Sequence, residues 1–208
     1  EILGGTVVMQ NMTGAVGAIA LNYVADQEAD GYTVLMGAEN PMLYRVMGLG
    51  ERDYNDFTPI NLLARGTPIL VTRPGAPFSD YAGMMAYIAA NPGEVRFGST
   101  GPGGLPSVIT AMMQTVEGDL DVIFVPYDGD GPALTALQGA AIDVMPAVLG
   151  ASIEGIRAGN MVPLAIFDTE RNRFLPDVPV APELNAGYST YLPWGPFFGV
   201  FVKNGTPQ

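Results

Sequence analysis

The residues best suited to bind a charged ligand are Ser99, Thr100 and Gly101, which follow a short apolar run at 95–97. Small residues let the backbone bend sharply after a strand and direct N–H groups outward before a helix begins near Leu105. Such N–H groups and hydroxyls, next to the positive end of a helix, stabilise an anion such as a carboxylate. The pattern predicts an anion-binding turn, although the same composition is also typical of a purely structural tight turn.

Strands and helices must alternate to position this turn. Strand-like runs at 6–9, 32–36, 56–63, 69–71, 95–97 and 161–167, with a further strand end at Tyr127 and a turn into a strand at Asp143, are separated by helical patterns or by glycine and proline. This alternation predicts parallel α/β layers. In the first helix, Val16, Ile19, Tyr23 and Val24 have the spacing of one buried face. The aromatic run at 194–202 is β-prone and is expected to return to the first domain as a crossing strand.

Composition excludes several classes of function. The chain has 208 residues, 48% of them apolar, and a net charge of −12, so it can bury a core but lacks the clustered cations that nucleic acid requires. It contains no histidine and no cysteine. Zinc sites built on Cys and His and nucleophiles activated by His are therefore excluded, no cofactor fingerprint is present, and no apolar run reaches the roughly 20 residues of a membrane span.

Other residues invite functional interpretations that the sequence does not favour. The segment 128–131 resembles a calcium loop but lacks its distal acidic ligand, and the glycines at 98–104 lack the lysine of a nucleotide-binding loop. Asp143 is expected to be a structural hydrogen-bonding group. Core packing is expected for Trp194, for Phe197 and for the methionines Met84, Met85, Met112 and Met113.

A series of motifs resembles one family along nearly the whole chain. The strongest are NPGEVRFGSTG (91–101), VPYDGDGPA (125–133) and FLPDVPVAPELNAGY (174–188), preceded by ADGYTVLMG (29–37), NPMLY (40–44) and DFTPI (56–60). Each motif is weak by itself, but their order and spacing resemble the Bug family, the periplasmic solute-binding proteins of tripartite tricarboxylate transporters.

The resemblance implies a type II periplasmic-binding-protein fold, in which two α/β domains joined by two crossing strands close on a carboxylate ligand. Mapped onto this chain, domain one comprises residues 1–71 and 192–208, and domain two comprises residues 72–191. Family members also have a first strand and a glycine-rich loop before the position of Glu1, and helices after that of Gln208, which this sequence does not include.

The implied cleft lies between three strand ends. In domain two, the turn at 99–101 forms one wall, and Tyr127, Asp128 and Gly129 form a second wall or a turn that needs glycine for a positive φ. In domain one, the equivalent strand end carries Ala38, Glu39 and Asn40, although Asn40 is equally compatible with a simple turn before Pro41. The predicted ligand-binding residues are Ala38, Glu39, Asn40, Ser99, Thr100, Gly101, Tyr127, Asp128 and Gly129.

Three acidic residues depart from the family pattern. Asp128 stands where a basic residue is common, Asp130 follows two residues later, and Glu39 stands where Thr or Ser is common. An acidic wall disfavours a ligand with several carboxylates, so we expect fewer carboxylates, an amine or an apolar body. The alternative is that these side chains point to solvent, which is favoured for the two aspartates.

Two functions from different classes are compatible with these residues. The resemblance implies a monomeric, exported receptor in the periplasm, whose signal peptide is not part of this chain, that closes on a small carboxylate ligand and presents it to membrane permease subunits. The alternative is an α/β enzyme acting on a small organic acid, with Glu39 or Asp128 as general base. The absence of His and Cys weighs against the enzyme.

Overall fold

A computed structural model describes residues 4–207 of the chain. The strands are β1 (Val34–Ala38), β2 (Phe57–Arg65), β3 (Pro68–Thr72), β4 (Arg96–Ser99), β5 (Ile123–Pro126), β6 (Val144–Val148), β7 (Val162–Ile166) and β8 (Phe197–Lys203). The helices are α1 (Ala18–Asp26), α2 (Tyr44–Met47), α3 (Tyr81–Ala90), α4 (Leu105–Glu117), α5 (Asp130–Gln138), α6 (Leu149–Arg157) and α7 (Ala181–Leu184). Within 4–207, none of the helices combines the length and apolar character needed to cross a membrane.

The strands form two separate sheets, each the centre of one lobe. The first lobe has the antiparallel order β1-β8-β2, and the second lobe has the order β5-β4-β6-β3-β7. In the second lobe, β4 pairs in parallel with β5 and β6, whereas β3 pairs antiparallel with β6 and β7. The prediction of parallel layers is therefore wrong for the first lobe and for β3. The reason is that β3 enters its sheet directly from the first lobe, without the helical crossover that parallel neighbours need.

The chain passes between the lobes at residues 66–67 and again at residues 192–196. These crossing segments are hydrogen-bonded, since the N–H of Gly66 donates to the carbonyl O of Pro196 at 2.7 Å. The prediction that the run at 194–202 returns to the first domain is confirmed, because β8 is the central strand of the first sheet. Residues 68–71 pair in the second sheet, although the predicted limits placed them in domain one. The other domain limits stay a prediction.

The second lobe packs on both faces of its sheet. Successive residues of β3 alternate between two core clusters, with Leu70 beside Phe97 in one and Ile69 beside Leu137 in the other. The prediction of core positions holds for Met84, Met112 and Met113, which are buried, while Met85 and Trp194 pack at the margin of the first cluster. Phe197 packs against the separate core of the first lobe. Packing in these cores holds in place the strands at whose ends the candidate site lies.

Two details of the N-terminal part differ from prediction. Residues 6–9 form no strand, and Val7, Val8 and Met9 are 70–86% exposed, because no described strand lies beside them. Helix α1 begins only at Ala18, after Gly17 in the left-handed conformation. Its buried face therefore consists of Ala18, Leu21, Val24 and Ala25, whereas Ile19 and Tyr23 are exposed.

Candidate functional site

The carboxyl ends of three parallel strands of the second lobe lie at one edge of the sheet, which we call the cleft edge. They end at Ser99, Pro126 and Val148, and the segments that follow lead into α4, α5 and α6. The first lobe meets this edge through the end of β1, where the Nδ2 of Asn40 donates to the carbonyl O of Gly103 at 3.2 Å. Strand ends from both lobes therefore face one another, as in the predicted cleft.

The turn at 99–101 is sharp and internally hydrogen-bonded. Gly101 has a φ of +93°, and its N–H donates to the Ser99 Oγ at 3.3 Å. The Ser107 Oγ donates to the Gly101 carbonyl at 2.7 Å, and the Tyr127 N–H donates to the Ser99 carbonyl at 2.8 Å. The tight turn is therefore present, but in this structure the Gly101 N–H that was predicted to hold an anion is engaged by Ser99.

Thr100 lies over the start of α4. Gly104, at the N-cap of this 13-residue helix, provides no side-chain cap, and a Cβ at Gly104 would stand 2.4 Å from the Thr100 Oγ1. The uncapped N-terminus of a helix carries partial positive charge from its N–H groups. The half-buried Thr100 hydroxyl thus lies beside a positive helix end, an arrangement that suits an oxygen anion.

The segment after β5 has three different environments. The ring of Tyr127 packs against the core of the second lobe, whereas the side chain of Asp128 is exposed. Gly129 has a φ of +141° and precedes α5, so the glycine is needed for the turn. Asp130 begins the helix, and its Oδ2 accepts a hydrogen bond from the N–H of Val148 at 3.3 Å. The solvent-facing alternative thus holds for Asp128 but not for Asp130, which is half-buried.

The end of β1 contributes a buried acid to the cleft edge. The Ala38 carbonyl accepts a hydrogen bond from the Tyr54 hydroxyl, and Asn40 reaches the second lobe. Between them, Glu39 is only 4% exposed, so the solvent-facing alternative is wrong for this residue as well. Its Oε2 has no hydrogen-bond partner among the residues described.

The charge of Glu39 is poorly stabilised. Burial raises the pKa of Glu39, and the charge of Asp130 raises it further. The backbone N–H groups of Glu39 itself and of Phe197 lower the pKa, but their effect is smaller. Burial also raises the pKa of Asp130, against the effect of the Val148 N–H. Burial and the charge of Glu39 together raise the pKa of Tyr44 to about 12. A buried acid whose pKa is raised is typical of functional sites.

Asp143 serves a different purpose, at the opposite edge of the sheet. Its Oδ2 accepts from the Arg96 Nε at 2.9 Å, and its Oδ1 accepts from the Arg73 Nη2 at 3.1 Å. The predicted structural role of Asp143 is thereby confirmed. Within residues 4–207, no cluster of three or more side chains suited to hold a metal ion is present.

Three groups near the candidate site were not among the predicted binding residues. Asp130 was noted as a departure but not placed among the binding residues, and the backbone groups of Gly103 and Phe197 had no signal in the sequence. Asp130 could have been found as an acid in the first turn of a helix that follows a parallel strand, because such positions lie at the sheet edge. The predicted residues at 38–40, 99–101 and 127–129 lie on facing strand ends, and their contact with a ligand stays a prediction.

Comparison with known proteins gives a consistent picture. The sequence model described as "Tripartite tricarboxylate transporter family receptor" matches residues 1–208. Protein BugT of Bordetella pertussis is 34% identical over 214 residues, a match that spans 99% of this chain and 63% of BugT. This chain therefore spans less than two thirds of the length of that relative.

Solved structures agree in fold. The periplasmic binding protein BugD superposes with a TM-score of 0.89 at 26% identity, over 99% of this chain and 68% of BugD. MatC from Rhodopseudomonas palustris, solved with bound malate, has a TM-score of 0.88 at 28% identity, over 99% of this chain and 69% of MatC. An R. palustris protein solved with adipate has a TM-score of 0.84 at 30% identity, over 97% of this chain and 67% of that protein. From its sequence and from this two-lobed α/β fold, the chain belongs to the receptor family of tripartite tricarboxylate transporters, the family of the Bug proteins.

Proposed function

We propose that the protein is an extracytoplasmic solute receptor, which binds a small carboxylate-containing ligand between its lobes and delivers it to a tripartite tricarboxylate-type permease in the membrane. The observation that carries this proposal is the hydrogen bond from Asn40 to Gly103, which brings the end of β1 to the segment that directly follows the turn at 99–101. The second lobe supplies the hydroxyls of the turn at 99–101 and the N-terminus of α4, and the first lobe supplies the amide of Asn40. Such a site would bind an anion without reacting with it.

The relatives solved with malate and adipate support a carboxylate as the ligand. The ligand carboxylate would displace the internal hydrogen bond between Gly101 and Ser99 and take the position beside the Thr100 hydroxyl. Because the lobes are joined by only two short crossing segments, a ligand that contacts both lobes favours their closure. The closed monomer in the periplasm would then be the form that the permease recognises.

A catalytic function lacks a reacting group at this site. Asp128, one of the two candidate bases, is exposed, and the Oε2 of Glu39 forms no hydrogen bond with a nucleophile among residues 4–207. We therefore propose binding without turnover. Incubating the protein with its ligand and analysing the mixture by mass spectrometry after several hours tests this point, because a receptor returns the ligand unchanged.

Isothermal titration calorimetry against monocarboxylates, dicarboxylates, tricarboxylates and amino acids tests the receptor function. Thr100→Val removes the hydroxyl at the helix start with little change of volume, and we expect it to weaken binding about tenfold, the effect of one lost hydrogen bond to a charged group. Thr115→Val, on the exposed part of the same helix, is the matched control and should retain the affinity of the unmodified protein. Absence of binding by every acid tested would overturn the proposal.

A further inference from the structure

We infer that the ligand carries a cationic nitrogen as well as its carboxylate, and that Glu39 and Asp130 bind this nitrogen from opposite sides of the cleft. The ligand class is thus an amino-carboxylic acid rather than a dicarboxylic or tricarboxylic acid. This inference rests on the proposed receptor function and specifies the ligand of the same site.

Glu39 carries a buried acceptor that no described residue satisfies. The residue is 4% exposed, and its Oε2 has no hydrogen-bond partner among the described residues. A buried acceptor without a partner costs about 1 to 3 kcal/mol, so native structures rarely contain one outside a functional site. Glu39 lies between Ala38 and Asn40, at the strand end that faces the second lobe. A donor on a bound ligand would satisfy the acceptor that the protein leaves open.

The facing lobe also presents an acid. Asp130 begins α5 and is fixed by the N–H of Val148, and its charge acts directly on Glu39. Among the described residues, neither acid forms an ion pair with a lysine or an arginine. Two carboxylates in a poorly solvated site repel each other unless a proton or a cation lies between them. A ligand group between them that donates hydrogen bonds and carries positive charge would relieve this repulsion.

The cleft edge presents donors on one side and acceptors on the other. The start of α4, with Thr100 and the turn at 99–101, presents N–H and hydroxyl groups, whereas Glu39 and Asp130 present carboxyl oxygens. A ligand with a carboxylate at one end and an ammonium at the other matches both sides. The second carboxylate of a dicarboxylic acid would instead meet two acids. Repulsion between these acids and a second ligand carboxylate would select against dicarboxylic acids, just as favourable contacts would select for an amino acid.

Matched pairs of ligands test the inference by titration calorimetry. Alanine, β-alanine, γ-aminobutyrate and the standard amino acids are compared with lactate, propionate, butyrate, succinate and malate. We expect at least one amino acid to bind ten times more tightly than its nitrogen-free counterpart, and more tightly than either dicarboxylate. Tighter binding of succinate or malate than of every amino acid would overturn the inference and leave the receptor function intact. No binding by any of these compounds would overturn the inference, and the receptor function would fall with it only if the tricarboxylates also fail to bind.

Substitutions of the two acids test their role. Glu39→Gln and Asp130→Asn keep the shape of each side chain and remove its charge. Each should reduce the affinity for amino acids at least tenfold. Each should also lower the ratio of amino-acid affinity to dicarboxylate affinity. Glu170→Gln, an exposed acid of the second lobe, is the control and should change neither. Thermal melting verifies that each variant is folded. Unchanged amino-acid affinity in both folded variants would show that these acids do not bind the nitrogen.

Discussion

The side-chain amide of Asn40 donates a hydrogen bond to the backbone carbonyl of Gly103, 3.2 Å away, and thereby joins the two lobes at the edge where their strands end. Gly103 has a φ of +79°, and a Cβ on it would lie 3.6 Å from the Met47 side chain. The first and second lobes are therefore in direct contact at this point. A ligand that closes the cleft would be enclosed beside this hydrogen bond.

Asn40→Ala removes this link between the lobes. We expect ligand affinity to fall about five- to tenfold, because a neutral hydrogen bond contributes about 1 kcal/mol to the closed form. Titration calorimetry with the best ligand measures the change. Met42→Ala, an exposed position of the same 3-10 turn, is the control and should leave the affinity unchanged. Full affinity in Asn40→Ala would mean that the contact does not contribute to the bound state.

Gly195→Ala disturbs the two crossing segments. A Cβ at this position would lie 2.6 Å from the carbonyl O of Gly66, whose N–H bonds to Pro196. The backbone must move apart, so we expect a loss of about 1 to 3 kcal/mol in the free energy of unfolding, measured by urea denaturation. Gly150→Ala, near the start of α6 with no atom within 4 Å, is the control and should be neutral or slightly stabilising. Equal stability of both variants would contradict close packing of the crossings.

Gly104→Ala alters the start of α4. The new Cβ would stand 2.4 Å from the Thr100 Oγ1 and 3.3 Å from the Gly101 carbonyl, so Thr100 must leave its position. We expect weaker ligand binding, by tenfold or more in calorimetry, together with a lower melting temperature. Gly131→Ala in α5 has open space around it and should retain binding. Unchanged ligand affinity in Gly104→Ala would mean that the position of Thr100 is not important for the site.

Asp143 stabilises the second lobe through its two arginines. Burial opposes its charge, but hydrogen bonds from Arg96 and Arg73 outweigh this effect and lower the pKa of Asp143 below its ordinary value of 3.8. The ionised form is therefore stabilised by folding, and this contribution is present at neutral pH and lost as the pH falls through the lowered value. Asp143→Asn should cost about 2 kcal/mol in urea unfolding at pH 7. The exposed Asp119→Asn should cost nothing measurable, and equal costs would exclude a special role for Asp143.

In the ligand-free protein, ionised Glu39 lowers the stability of the fold, whereas ionised Asp143 raises it. Because burial and Asp130 raise its pKa above the ordinary value of 4.5, the folded state disfavours the ionised form. The stability of the ligand-free protein should therefore decline as the pH rises from 4.5 through the raised value. Glu39→Gln removes this term, so we expect a higher melting temperature than that of the unmodified protein at pH 7.5, with the difference shrinking toward pH 4.5. A lower melting temperature of Glu39→Gln at pH 7.5 would contradict an unfavourable buried charge.

The elements that depend on local sequence were predicted with few errors. The strand before Ser99, its turn and the helix beginning at Leu105 appear as predicted, because glycines and apolar spacing act over a few residues. The buried face of α1 was predicted incorrectly. Which residues of α1 face the core depends on where the helix begins. Gly17 determines this start through its left-handed backbone conformation.

The sequence by itself determined the α/β class, the residue types of the turn at 99–101 and, through a series of motifs, the family. Only the tertiary structure decided that β3 runs against its neighbours, that Asn40 contacts Gly103, and that Glu39 is buried within the influence of Asp130. The physical reason is one of range. Turn and helix preferences depend on neighbours along the chain, whereas the burial and charge of Glu39 depend on how two lobes, distant in sequence, meet at their strand ends.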